Sequence, residues 1–111
     1  MRMVVGWFRK LWYFFDRPYE LIIVNDDTPP AKVHRKRIYL AHEDGEDWAV
    51  ALQCPCGCGE RLELMLIPEV KPHWHISVDK NGLPSLKPSV WREKGCQSHF
   101  WLKEGRIVWC D

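Results

Sequence analysis

The sequence predicts a small, mainly β domain, antiparallel and hairpin-rich, held by a metal ion in the manner of a zinc ribbon. Three observations lead there. Short runs of β-branched and aromatic residues alternate with turn sequences. One segment, Cys54-Pro55-Cys56-Gly57-Cys58-Gly59-Glu60, packs three thiols beside Pro and Gly. Near the end, Cys96, His99 and Cys110 add more ligand-type side chains. A chain of 111 residues buries only about two thirds of its unfolded surface, so a cross-link stabilises it appreciably.

The elements follow in order. Residues 1–18 form an aromatic and basic segment, in which the run from Val4 to Phe15 closes at Asp16-Arg17-Pro18. Its aromatics cover too much of a helical wheel for a clean stripe, and it is too short to span a bilayer. It reads as a short helix or strand packed on the domain or on a partner, with an interfacial membrane helix as the alternative. Residues 19–111 then make one domain. Tyr19 to Val24 is a strand-forming run, and Asp26-Asp27-Thr28-Pro29-Pro30 is a loop that proline cannot continue as strand or helix. Ile38 to Ala41 and Trp48 to Leu52 flank an Asp44-Gly45 hairpin signal. Leu62, Leu64 and Leu66 alternate with Glu63 and Met65, as in a strand with one buried face.

Trp74 to Val78 and Leu86 to Trp91 flank the turn Asp79-Lys80-Asn81-Gly82, and Pro84 and Pro88 place that second arm at a sheet edge. Phe100 to Lys103 and Arg106 to Cys110 flank Glu104-Gly105. A two-residue loop there opposes Lys103 with Arg106, Leu102 with Ile107, Trp101 with Val108, Phe100 with Trp109, and His99 with Cys110. A three-residue loop would slip this register.

Apolar residues are 46% of the chain and seven tryptophans run from Trp7 to Trp109, which predicts a packed core. The net charge of +1 gives the whole molecule little electrostatic reason to seek nucleic acid or anionic lipid. The charge is uneven: Met1 to Arg37 holds eight Lys or Arg against four Asp or Glu, a hint of a docking surface. Five cysteines are an odd number, and Arg9 and Lys10 interrupt the only early apolar run, so no secretory signal is read. Thiolate ligands in a reducing cytoplasm explain the cysteines better than disulfides.

Zinc takes four soft or borderline ligands in a tetrahedron, and a tight Gly-containing turn lets neighbouring thiolates converge. The candidate ligands are Cys54, Cys56, Cys58, Cys96, His99 and Cys110, four of the six binding. Iron is the competing metal. His73-Trp74-His75 puts two imidazoles on one strand face and reads as exposed edge residues or a second site. No phosphate loop or serine nucleophile elbow is visible.

As a set, Cys54 to Glu60, Leu86-Lys87-Pro88-Ser89-Val90-Trp91, Gly95-Cys96-Gln97-Ser98-His99-Phe100-Trp101-Leu102 and Gly105-Arg106-Ile107-Val108-Trp109-Cys110 resemble a small bacterial and phage family classed as a domain of unknown function. The resemblance covers roughly the C-terminal half. It implies a companion of bacterial ubiquitin-like conjugation genes, with an E1-like activating enzyme, an E2-like enzyme or a ubiquitin-like protein as partners. Three functions are then in play. A closed thiol set and exposed tryptophans such as Trp74 or Trp91 suit a non-enzymatic zinc module that binds protein as an adaptor. Glu60 beside the metal, or a spare thiol, suits a metalloenzyme or thiol-dependent enzyme. Arg35, Lys36 and Arg37 near Tyr39 suit a nucleic-acid-binding ribbon.

Overall fold

The computed structural model describes residues 17–92 and 95–110, so the 1–16 part of the N-terminal segment lies outside the described residues. Among the described residues there are eight strands and no helix: β1 (Glu20–Val24), β2 (Arg37–Glu43), β3 (Glu46–Gln53), β4 (Arg61–Met65), β5 (His75–Val78), β6 (Pro84–Trp91), β7 (His99–Lys103) and β8 (Arg106–Trp109). They form two four-stranded sheets whose spatial order follows the chain, β1-β2-β3-β4 and β5-β6-β7-β8.

The turns explain most of the pairing. Asp44 and Gly45 both take positive φ, 54° and 76°, which matches the right-handed twist of the β2–β3 hairpin. Glu104 and Gly105 do the same between β7 and β8, with φ of 47° and 76°. The two-residue loop gives the anticipated register, Lys103 to Arg106, Leu102 to Ile107, Trp101 to Val108 and Phe100 to Trp109. Asp79 accepts from the backbone N–H groups of Asn81 and Leu83 at 2.9 Å each, which closes the β5–β6 turn.

The pattern departs from the expected hairpins in two places. β1 pairs β2 in parallel, because residues 25–36 are long enough for a crossover and Pro29-Pro30 cannot form a two-residue hairpin loop. This crossover lies on the outer face of the first sheet. Val33 buries against Tyr39 and Ala51, its carbonyl accepts from Gln53 Nε2 at 2.8 Å, and Arg61 donates to the Pro30 carbonyl. As a result Ile38 to Ala41 and Ala49 to Leu52 are buried on both faces. The second departure concerns β6, which is an inner strand between β5 and β7 and not an edge. Its prolines are tolerated because Pro84 opens the strand and Pro88 falls where the ladder is interrupted.

The two sheets share one core. Ile38, Leu40, Val50, Leu52, Leu62 and Leu64 from the first meet Leu86, Val90, Phe100 and Leu102 from the second. Each such side chain contributes about 1.5–3 kcal/mol on burial. A second tie sits at the β7–β8 turn, where Gly105 accepts from Tyr19 N–H at 2.7 Å and donates to the Pro84 carbonyl at 2.7 Å.

Candidate functional site

Two side-chain clusters stand at the end of the molecule where the β3–β4 and β6–β7 connections meet. The first is the thiol cluster. The segment from Cys54 to Glu60 curls between β3 and β4, with Cys54 N–H donating to the Glu60 carbonyl at 2.8 Å and Gly57 N–H to the Cys54 carbonyl at 3.3 Å. Gly57 and Gly59 hold φ of 92° and 82°, a region open to glycine at little cost. Cys96 arrives from the β6–β7 turn, which Arg92 N–H closes by donating to the Ser98 carbonyl at 2.8 Å.

The sulfurs of Cys54, Cys56, Cys58 and Cys96 lie within 4.8 Å of one another. Cys54 Sγ is 3.4 Å from Cys56 Sγ and 3.5 Å from Cys96 Sγ. A tetrahedron with zinc–sulfur bonds near ~2.3 Å sets its sulfurs roughly 3.8 Å apart. The donor set therefore fits a closed metal site, with Cys54 buried and Cys56 and Cys58 exposed.

The electrostatics divide the thiols. Burial pushes Cys54 up to about 11. The Ser98 hydroxyl, 3.1 Å from its sulfur, and the Ser98 backbone draw Cys96 down to about 6. Cys56 is also lowered, chiefly by the Ser98 hydroxyl. Arg92 sits over the cluster, its Nη1 donating to Cys96 Sγ at 3.3 Å and reaching within 3.6 Å of Cys58 Sγ. Its Nη2 is paired with Glu60, and these acceptors hold the guanidinium firmly protonated. A cation over thiolate sulfurs disperses their negative charge and orients them, the role of outer-sphere partners at metal sites.

Of the six candidate ligands, the structure brings together these four cysteines and places His99 and Cys110 elsewhere. Cys110 continues the β7–β8 ladder, its N–H donating to the His99 carbonyl at 2.8 Å. His99 belongs to the second cluster. Its Nε2 is 2.8 Å from Ser89 Oγ.

Ser89 reaches His99 because β6 carries a bulge. From Leu86 to Val90 is four steps on β6, while their partners Leu102 and Phe100 are two steps apart on β7. The extra residues bow the strand, and bulges re-aim side chains in this way. Val90 and Phe100 point into the core, so Ser89, Trp91 and His99 share the outer face of the sheet. Trp91, directly opposite His99, stacks on the imidazole with ring centres 5.4 Å apart and planes 25° apart. Trp74 Nε1 donates to the Ser89 carbonyl at 3.3 Å from beneath the bulge. With Nε2 as acceptor, the imidazole can take the hydroxyl proton, and a serine so paired is an activated nucleophile.

Sequence reasoning placed His99 near a metal and passed over Ser89. The available signal was Pro88 inside an otherwise regular strand, a residue that marks a bulge. Trp91 is 62% exposed, whereas Trp74 is half-buried against the core and anchors Ser89, so only the former presents a free ring. His73 and His75 lie edge to face with centres 5.4 Å apart, and His73 Nδ1 is 2.9 Å from the Val70 carbonyl. Among the described residues they form no group with other ligand-type side chains. No helix among the described residues is long and apolar enough to cross a membrane.

Comparison with curated proteins and with solved structures found no match. A family model does match, over residues 24–110, and those residues include both clusters. The chain thus belongs to the family described as bacterial ubiquitination-like system serine protease (BubE).

Proposed function

We propose that this chain is a serine peptidase of a bacterial ubiquitination-like system, with Ser89 as nucleophile and His99 as general base. The observation that carries the reading is the 2.8 Å contact between Ser89 Oγ and His99 Nε2 on an accessible sheet face, in a chain whose family is described by serine proteolysis. In the first step Ser89 Oγ attacks a substrate carbonyl carbon while its proton passes to His99 Nε2. His99 then returns that proton to the departing amine, leaving an ester on Ser89. Water attacks the ester, gives a proton to His99, and Ser89 regains its hydrogen as the carboxylic acid leaves. The substrate class is a peptide or isopeptide bond at the end of a ubiquitin-like protein.

Cys54, Cys56, Cys58 and Cys96 are the residues that would hold a zinc ion. Four thiolates fill a tetrahedron and leave no position for water, so the ion's contribution is structural: it fixes the β6–β7 turn from which β7 and His99 depart. The same closure speaks against the metalloenzyme alternative. A protein-binding adaptor is the second reading, favoured by the 62% exposure of Trp91.

A fluorophosphonate probe separates the two. Labelling of the wild-type chain that is lost in both Ser89→Ala and His99→Ala supports the peptidase. Absent labelling of a folded, metal-loaded protein, together with binding to a ubiquitin-like protein, would leave the adaptor.

A further inference from the structure

β6 is an inner strand for only part of its length. β5 pairs with Pro84 to Lys87 and no further, because the chain before His75 turns away: Trp74 N–H donates to the Met65 carbonyl at 2.8 Å, on the edge of the first sheet. On its other side β6 stays paired to β7 as far as Trp91. Among the described residues, no strand takes the place of β5 beside Ser89, Val90 and Trp91. The second sheet therefore has a short free edge, and that edge begins at Ser89.

The hydrogen-bond pattern says which backbone groups face it. Arg92 N–H donates to the Ser98 carbonyl, across to the β7 side, and Cys110 N–H donates to the His99 carbonyl, so that carbonyl faces β8. Trp91 and His99 are therefore a non-hydrogen-bonded antiparallel pair. Backbone groups of successive residues point to opposite edges of a strand, so the N–H and C=O of Trp91 are directed at the free edge. The Ser89 carbonyl is taken by Trp74 Nε1 at 3.3 Å, and the indole closes the edge there. A strand added here runs along Trp91 and ends at Ser89. Sheet edges are normally guarded by charge. Here Val90 points into the core and the outward side chains are Ser89 and Trp91, the latter 62% exposed, an aromatic suited to a cross-strand pair.

Both neighbours of β6 run antiparallel to it. A peptide that takes the line of β5 in the same sense places the residue opposite Trp91 two positions ahead of the residue opposite Ser89, on the acyl side of the bond attacked. We propose that the substrate docks as an added antiparallel strand on this edge: one residue exchanges both backbone hydrogen bonds with Trp91, and the carbonyl two residues later meets Ser89 Oγ. The proposal rests on the peptidase reading and adds to it the form of the substrate, an extended chain tail with an apolar side chain laid on the Trp91 indole.

Peptidyl phosphonates, which an activated serine attacks at phosphorus with loss of phenoxide, test it on the full chain. Acetylated tripeptidyl diphenyl phosphonates with randomised side chains are compared with two mixtures that each carry one backbone N-methyl group. Methylation of the third residue, counted back from phosphorus, removes the N–H that faces Trp91, and methylation of the second removes one that faces solvent. The first is expected to slow labelling of Ser89 at least about tenfold and the second by less than about threefold. By NMR, the Trp91 amide should exchange with solvent about tenfold more slowly in the peptidyl adduct than in the adduct of a small fluorophosphonate, which has no backbone to pair. Equal slowing by the two methyl groups, a Trp91 amide indifferent to the peptide, or failure of the peptidyl reagents where the fluorophosphonate reacts would each overturn the proposal and leave the peptidase reading intact. No labelling of Ser89 by either reagent class would overturn both. Slow exchange at Trp91 before any reagent is added would also overturn the proposal, by showing the edge already filled, by a second copy if dilution relieves it and by the chain itself if it does not.

Discussion

Ser89 and His99 are ten positions apart and are not directly opposed, since Trp91 is the residue paired with His99 across the ladder. Three neighbours fix their meeting: Pro88 within the bulge, Trp91 stacked on the imidazole, and Trp74 holding the Ser89 carbonyl. Trp74→Phe keeps most of the buried ring and removes the N–H donor. It is expected to lower turnover several-fold at unchanged KM, with the melting temperature shifted by no more than a few degrees, because one neutral hydrogen bond is worth about 1 kcal/mol. Steady-state kinetics on a ubiquitin-like fusion substrate checks the split. For the metal, the residue-level contrast is Cys96→Ser against Cys110→Ser. Cys96 lies 3.5 Å from Cys54 within the thiol cluster and Cys110 outside it. Elemental analysis should find zinc lost from the first variant and retained at one equivalent in the second. Arg92→Met removes the donor to Cys96 and Cys58 and is expected to weaken zinc retention by roughly 10- to 100-fold, read by competition with a chromogenic chelator.

At the level of elements, turn chemistry was the most legible part of the sequence. Asp44-Gly45 and Glu104-Gly105 each close a two-residue loop, and of the two loop lengths left open by the sequence at Glu104-Gly105 the shorter one sets the β7–β8 register residue by residue. The same arithmetic put His99 beside Cys110, and the backbone bond between them bears that out. What it could not give was side-chain purpose, since adjacency on a ladder does not show which way an imidazole turns. The parallel β1–β2 pair and the β6 bulge were missed for a common reason. Both depend on long-range closure, the first on Val33 burying against Tyr39 and Ala51 and the second on Leu86 and Val90 both entering the core. The two hairpin glycines offer a direct comparison. Gly45 has open space where a Cβ would go, whereas a Cβ on Gly105 would stand 2.9 Å from Pro18 Cβ. Gly45→Ala is expected to cost about 1 kcal/mol from the left-handed backbone alone. Gly105→Ala adds a clash at the tie between the sheets and should cost about 2–4 kcal/mol. Urea denaturation of the two variants gives the comparison directly.

On the scale of the whole molecule, the turn spacing and the six candidate ligands were enough to read a mainly β fold with a cysteine cluster able to hold a metal, and the alternating leucines of β4 marked one wall of the core. The two-sheet arrangement was less visible, because no sequence signal says that hairpins far apart in the chain share one interior. The thiol cluster joins the sheets at one end, between the β3–β4 and β6–β7 connections, while Gly105 joins Tyr19 to Pro84 at the β7–β8 turn. A strong chelator added to zinc-loaded protein is therefore expected to lower the melting temperature on the order of 10 °C and to abolish fluorophosphonate labelling. Calorimetry with and without chelator reads the first, gel fluorescence the second. Persistent labelling in the metal-free protein would show that β7 is positioned by the core alone.

Cys54 and Cys96 are separated by 42 positions, and that interval has a meaning in time. A ribosome adds so many residues in a few seconds. During those seconds the emerging chain owns three thiols of the set and lacks the fourth. Three thiols close in sequence hold a metal loosely and exchange it readily. A four-thiol site can close only once Cys96, just ahead of β7, has emerged and been brought to the Cys54–Glu60 turn. On the proposed metal and activity, occupancy of the cluster would mark chains that have brought the β3–β4 and β6–β7 connections together, and a copy truncated before Cys96 would carry neither a retained ion nor the Ser89–His99 pair.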